Sequence, residues 1–171
     1  MEELIRSTRF SVVDVETTGR SSDRHRVTEI AVVGLSGIAV VSEESTLVNP
    51  EQYVSREIQA LTGISNAMVS TAPSEREAMG SLDFWLPDDT VLVAHNASFD
   101  VGFINSARAR TGRRPLPNRV LCTLRLARRV MPLHRGFSLA RLATHLGVRI
   151  HARHRALRDA RATAQILPLL I

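Results

Sequence analysis

At 171 residues, 44% hydrophobic and 23% charged, the chain has the size and composition of one folded domain with a real core, which excludes an intrinsically disordered protein. No apolar run approaches the roughly 20 residues that span a bilayer, and Glu2 and Glu3 make the N-terminus too polar for a secretory leader, so a cytoplasmic location without a membrane partner is expected. The net charge of +5 is carried by arginine alone: residues 1–100 hold seven arginines against sixteen acids, and residues 101–171 hold fifteen against one, Asp159. Arginine's planar fork donates two hydrogen bonds at once to a phosphate, so the basic half suggests a polyanionic partner, nucleic acid first. A solvated surface in an arginine-favouring genome explains the same counts. A lone carboxylate in so basic a segment is easier to explain as a functional group than as ordinary surface.

No repeat, low-complexity tract or linker divides the chain, and residues 1–171 read as a single domain. Arg9 to Glu16, rich in valine, reads as a strand ended by Thr17-Thr18-Gly19. Val27 to Gly34 and Ile38 to Val48 read as two more, joined by a turn at Ser36-Gly37 and stopped by Asn49-Pro50. Short helical or turn segments follow through Leu61-Thr62-Gly63-Ile64. Ser74 and Glu77 form a capping-box pattern that opens a helix to about Leu86, with Phe84 and Trp85 expected in the core. Thr90 to Ala94 is a short buried strand. Asp100 to about Arg110 reads as a helix ended by Gly112 and Pro115. Val120 to Cys122 is a brief strand, in which the single cysteine reads as a small buried hydrophobe. Thr123 and Ser138 are then expected to cap helices to about Val130 and Leu146, the second ended by Gly147. A last helix runs from about Arg155 to near Pro168. Three leading strands can form an antiparallel meander to which later strands add through helical crossovers, which is an α/β fold with a mixed sheet.

The first strand ends Val13-Asp14-Val15-Glu16, and residues i and i+2 of a strand share a face, so the two carboxylates project together about 7 Å apart. Their repulsion is costly unless a cation lies between them. The following Thr17-Thr18-Gly19 turn offers backbone N–H groups to a ligand. In Val93-Ala94-His95-Asn96-Ala97-Ser98-Phe99-Asp100 a buried strand leads through a polar loop to an acid at an expected helix start, where Asp is also an ordinary N-cap. In His154-Arg155-Ala156-Leu157-Arg158-Asp159 a histidine precedes the last helix and an acid lies one turn inside it. Each pattern alone has a plain structural explanation. Together they supply four acids and one histidine, a hard donor set that suits Mg²⁺ or Mn²⁺. Two such ions about 4 Å apart can activate water and stabilise the leaving oxygen of a phosphodiester. Zinc fits less well, because no cysteine or third histidine completes a site around His151 and His154.

The segments SVVDVETTG, LTGIS, LVAHNASFD and HRALRDA, in this order and from about Arg9 to Leu169, resemble the successive motifs of the DnaQ-like (DEDDh) 3'–5' exonucleases, the family that includes the proofreading subunit of bacterial DNA polymerase III. The resemblance implies an RNase H-like fold, a five-stranded mixed sheet flanked by helices. It implies a 3'–5' exonuclease that releases nucleoside 5'-monophosphates with two Mg²⁺ or Mn²⁺ ions. Asp14 would bridge both ions, Glu16 and Asp159 would complete the tighter site, and Asp100 would hold the second, partly through water. His154 would be the general base. Thr17, Thr18, Leu61, Asn96 and Phe99 would meet the substrate, with the backbone of Thr17 and Thr18 at the terminal 3'-hydroxyl and Leu61 and Phe99 flanking the last base. No departure from the family pattern occurs at the five catalytic positions.

The implied partner is the single-stranded 3' end of a nucleic acid, DNA ahead of RNA, with a DNA polymerase as a further candidate. Polymerase docking would need a surface patch or another part of a longer polypeptide, since the last motif lies close to the end of the sequence. An RNA-trimming member of the same family and a catalytically silent nucleic-acid-binding module are the alternatives. The silent module is expected to lack one of the five residues, and all are present. His25, His134, His145 and His151 read as surface or packing residues. Gln165 to Leu170 faintly resembles a sliding-clamp peptide, but the end of an amphipathic helix explains it as well.

Overall fold

The computed structural model describes residues 2–150 and 154–171, so His151 and Arg153 lie outside the described residues. Its centre is β1 (Arg9–Thr17), where valines at 12, 13 and 15 bury both faces of the strand. On one side β1 pairs antiparallel with β2 (Val27–Ser36), which pairs antiparallel with β3 (Ala39–Leu47). On the other side β1 pairs in parallel with β4 (Val91–Ala94), and β4 in parallel with β5 (Val120–Cys122). The order β3-β2-β1-β4-β5 is the five-stranded mixed sheet expected, with the meander at one edge. A short helix, α1 (Glu2–Ser7), precedes it and was not anticipated. The segment after the meander forms α2 (Arg56–Thr62) and α3 (Asn66–Ser70), each capped by a serine side chain.

Side chains alternate across a strand, so the sheet's two faces carry different rows. Val13, Val15, Ile30 and Val32 face α4 (Glu75–Trp85) and α5 (Ala97–Arg110), packing with Met79, Leu82, Phe103 and Ile104. Phe10, Val12, Ala31 and Val33 face α8 (Ala156–Leu170), where Ala156, Ala160 and Ala164 let the helix lie close to the sheet. Asp14 and Glu16 continue the second row. The sequence therefore aims them at the face on which α8 begins. Two shorter helices, α6 (Thr123–Val130) and α7 (Leu139–His145), pack through Ala127 and Leu142 against Ile166 and Leu170 of α8.

Several boundaries differ from expectation for local reasons. The capping box of Ser74 and Glu77 forms, but Phe84 is 87% exposed. Ala78, Leu82 and half-buried Trp85 already occupy the inward stripe of α4, and Phe84 falls outside that stripe. Thr123 does not cap α6. Its hydroxyl reaches the Ala94 carbonyl (3.4 Å) and His95 Nδ1 (3.0 Å), tying two strand ends together. Helix α8 continues through Pro168 to Leu170, its last turns held by buried Leu167 and Leu170. Cys122 is half-buried against the core.

Candidate active site

β4 pairs with β1 only from Phe10 to Val12, so beyond that point this edge of β1 has no strand beside it. Asp100 fills the gap: its Oδ1 accepts the backbone N–H of Val15 at 3.2 Å. Sequence reasoning placed Asp100 at the start of its helix, whereas α5 begins at Ala97 and Asp100 stands within the first turn. The reason is Asn96, whose left-handed backbone (φ 71°) turns the chain into the helix without a side-chain cap. The acid is thereby released from capping and buried against β1.

From the opposite face the start of α8 delivers the other two groups. Asp159 lies in its first turn and accepts the backbone N–H of His154 at 3.2 Å through Oδ2. His154 holds a left-handed conformation (φ 61°) just before the helix. Donor atoms of Glu16, His154 and Asp159 all lie within 4.8 Å of one another. Asp14 feels the charge of Asp100, Asp159 and Glu16, which puts the four acids in one electrostatic cluster.

Electrostatics show what this clustering costs. Burial first, then Asp100, Asp159, Glu16 and Glu29, raise the Asp14 carboxyl well above the ordinary carboxylate range. Glu16 is pushed up to about 8 by burial and by Asp159, Glu29 and Asp100, with Arg155 opposing. Burial pushes Asp100 up to about 7 against the Val15 N–H that favours its charged form. Without cations the cluster therefore holds protons near neutral pH. A divalent cation can replace those protons, and the oxygen-rich set with one imidazole matches a hard metal ion.

Glu29 escaped the sequence reading. It lies opposite Glu16 in the β1–β2 register, with only 5% of its side chain exposed. The Arg155 guanidinium grips it, with Nη2 at 2.7 Å from Oε1 and Nε at 3.0 Å from Oε2, and the Ala156 N–H donates to Oε2 at 2.9 Å. One buried carboxylate thus ties the first residue of α8 to β2, directly after His154. The signal was an acid inside the otherwise apolar run Val27-Thr28-Glu29-Ile30-Ala31. His95 was likewise unassigned. Burial lowers its pKa, its Nε2 donates to the Phe137 carbonyl (2.9 Å), and its Nδ1 lies in hydrogen-bond contact with the Thr123 hydroxyl (3.0 Å).

The residues expected at the substrate lie on several elements. Thr17 Oγ1 donates to the Gly19 carbonyl at 2.6 Å, and Thr18 Oγ1 donates to Gln52 Oε1 at 2.6 Å. The Thr18 amide is committed to the Arg26 carbonyl (2.9 Å), because it closes the β1–β2 connection and is not free for a ligand as expected. Leu61, on α2, is 51% exposed, and Asn96 is exposed at the mouth of α5. Phe99 is half-buried, its ring 4.8 Å from that of Phe103. Among the remaining histidines, His25 packs over Gly19 and bonds Ser21, and His134 meets the Phe137 ring edge-on and the tilted His145 ring, as packing residues do.

A family profile described as an exonuclease (RNase_T) matches residues 11–167. A Mycobacterium tuberculosis protein that carries the name bifunctional exonuclease/endonuclease is 44% identical over 99% of this chain, which spans 27% of that relative's length. The epsilon subunit of DNA polymerase III from Aquifex aeolicus is 36% identical over 92% of this chain and 77% of its own. Exonuclease X, solved with 5'-overhanging duplex DNA, superposes with a TM-score of 0.74 at 28% identity, covering 95% of this chain and 90% of that one. Sheet order, flanking helices and these likenesses identify an RNase H-like fold. The chain belongs to the DnaQ-like 3'–5' exonuclease family.

Proposed function

We propose that the chain, as one domain spanning residues 1–171, removes nucleotides from the 3' end of DNA by hydrolysing phosphodiester bonds and releasing nucleoside 5'-monophosphates. The observation that carries the reading is the convergence of Asp14, Glu16, Asp100 and Asp159 with His154 at one end of β1, where burial and mutual repulsion raise the carboxyls of Asp14, Glu16 and Asp100. Such a cluster repels a phosphodiester unless cations offset it. Asp14, Glu16, Asp100 and Asp159 would hold two Mg²⁺ or Mn²⁺ ions, which supply Lewis acidity and charge neutralisation at the phosphate. His154, held by its backbone bond to Asp159, takes the proton of the attacking water. The ion pair of Arg155 with Glu29 fixes the turn that carries His154 against the sheet. Thr17, Thr18, Leu61, Asn96 and Phe99 surround the terminal nucleotide. A DNA polymerase as partner is supported by the name of the Aquifex aeolicus relative, a polymerase subunit.

The test is digestion of 5'-labelled and 3'-labelled single-stranded DNA, duplex DNA and RNA in Mg²⁺ or Mn²⁺. Single-stranded DNA is expected to shorten from its 3' end into 5'-monophosphates, with EDTA abolishing the reaction and metal restoring it. Internal cleavage, or full activity in EDTA, would contradict the reading.

A further inference from the structure

Some arginines of the basic half are ion-paired and others are not. Arg108 and Arg113 pair with Asp83, Arg110 with Glu75, Arg155 with Glu29 and Arg161 with Glu43, so acids of the first half of the chain neutralise part of the second. Arg125, Arg128 and Arg129 on α6 are exposed, and among the described residues no carboxylate forms an ion pair with them. The nearest aromatic neighbour of Arg128 is the Phe137 ring, 6.0 Å from its guanidinium carbon. Their spacing of i, i+3 and i+4 puts the three cations along one side of the helix.

These arginines line a groove of about 1060 Å³ whose near lip is Asn96, Ala97 and Ser98 and whose floor includes Val120 and Leu121. Because β1, β4 and β5 run parallel, their C-terminal ends share one edge of the sheet. The acids leave β1 there, the Asn96–Ser98 connection leaves β4, and α6 leaves β5. Asp100 stands two residues beyond Ser98 on the same helix. The groove therefore opens at the start of α5, within one helical turn of Asp100 along the chain, and leads to the three arginines of α6.

We infer that this groove is the track for a single-stranded nucleic acid upstream of the reacting end, with Arg125, Arg128 and Arg129 on successive phosphates. The inference rests on the exonuclease reading of the acidic cluster. Charge complementarity favours a polyanion, and the position of the groove beside the helix turn that carries Asp100 favours the substrate strand itself. Among the described residues no aromatic side chain lines the groove, so recognition goes through the backbone and not through stacked bases.

The test is fluorescence anisotropy of 5'-labelled dT12 in EDTA across a salt series, with the wild type, an Arg125→Gln/Arg128→Gln/Arg129→Gln triple variant and the corresponding triple lysine variant. Each phosphate neutralised on a single strand contributes about 0.7 to the log–log salt slope, so the glutamine variant is expected to lose about 2 from it. The lysine variant keeps the charge and is expected to keep the slope. A glutamine variant with the wild-type slope overturns the inference, and so does a lysine variant that loses as much as the glutamine one. Should the triple glutamine variant melt early by circular dichroism, Arg125→Gln and Arg129→Gln are read singly, each expected to lower the slope by about 0.7. Hydrolysis of a 5'-labelled dinucleotide by the wild type in Mg²⁺ reports separately on the acidic cluster. Its failure with groove binding intact would sink the exonuclease reading alone.

Discussion

Protons held by buried acids make the metal-free protein sensitive to pH in an unusual direction. Glu16, raised to about 8, and Asp100, raised to about 7, bind protons more tightly folded than unfolded. Their contribution to stability is full below the ordinary carboxylate values near 4 and is lost as pH rises through 7 and 8. In EDTA the melting temperature is expected to fall between about pH 5 and 8, and Mg²⁺ or Mn²⁺ is expected to restore it. A Glu16→Gln/Asp100→Asn variant should lose most of that slope, and an unchanged slope would mean that the acids do not share a site. His154 belongs to the same scale. Removing a general base typically costs about 10²–10⁴-fold, so with the role proposed for it His154→Ala should lower kcat by that factor and leave DNA binding intact. His151→Ala should work normally. If His151→Ala is the crippled variant instead, the assignment of Asp159 falls with that of His154.

Helix α8 is fastened at its N-cap by the Glu29–Arg155 pair, and the two partners differ in exposure: 5% of the Glu29 side chain and 37% of the Arg155 side chain. Deleting one partner is therefore not equivalent to deleting the other. Glu29→Ala frees a guanidinium that can turn to water and should cost roughly 1 kcal/mol, whereas Arg155→Ala strands a buried carboxylate beside Glu16 and should cost roughly 3 kcal/mol. Thermal melts of both variants test this, and equal losses would contradict the asymmetry. Strands and helices with strong periodicity, such as the valine run of β1 and the capping box of α4, were legible in the sequence. What was not legible depended on neighbours. The left-handed Asn96 starts α5 earlier than a capping rule suggests, and Thr123 turns from capping to join β4 with α6. Phe84 is apolar yet faces water, because the rest of α4 had already filled the inward stripe.

Across the whole molecule, part of the charge asymmetry visible in the sequence is resolved by ion pairs between the halves, and the arginines of α6 are among those that form none in the described residues. Composition alone could not divide the arginines in this way, because pairing is decided by which strand and helix ends meet. The acidic cluster was more legible. Asp14 and Glu16 share a strand face by period, and the motif order carried Asp100, His154 and Asp159 to the same place. Glu29 stayed hidden because its role arises from β1–β2 register and from the entry of α8, neither of which is written in a local pattern. The account stands most directly on Asp14, which lies at the centre of the cluster's repulsion and would touch both ions. The decisive measurement is the rate of 3'-end removal from single-stranded DNA in Mg²⁺ by Asp14→Ala and wild type, both checked for folding by circular dichroism. A loss on the order of 10³-fold or more in a folded variant is the expected result. A folded Asp14→Ala that cuts at near wild-type rate would place the chemistry elsewhere.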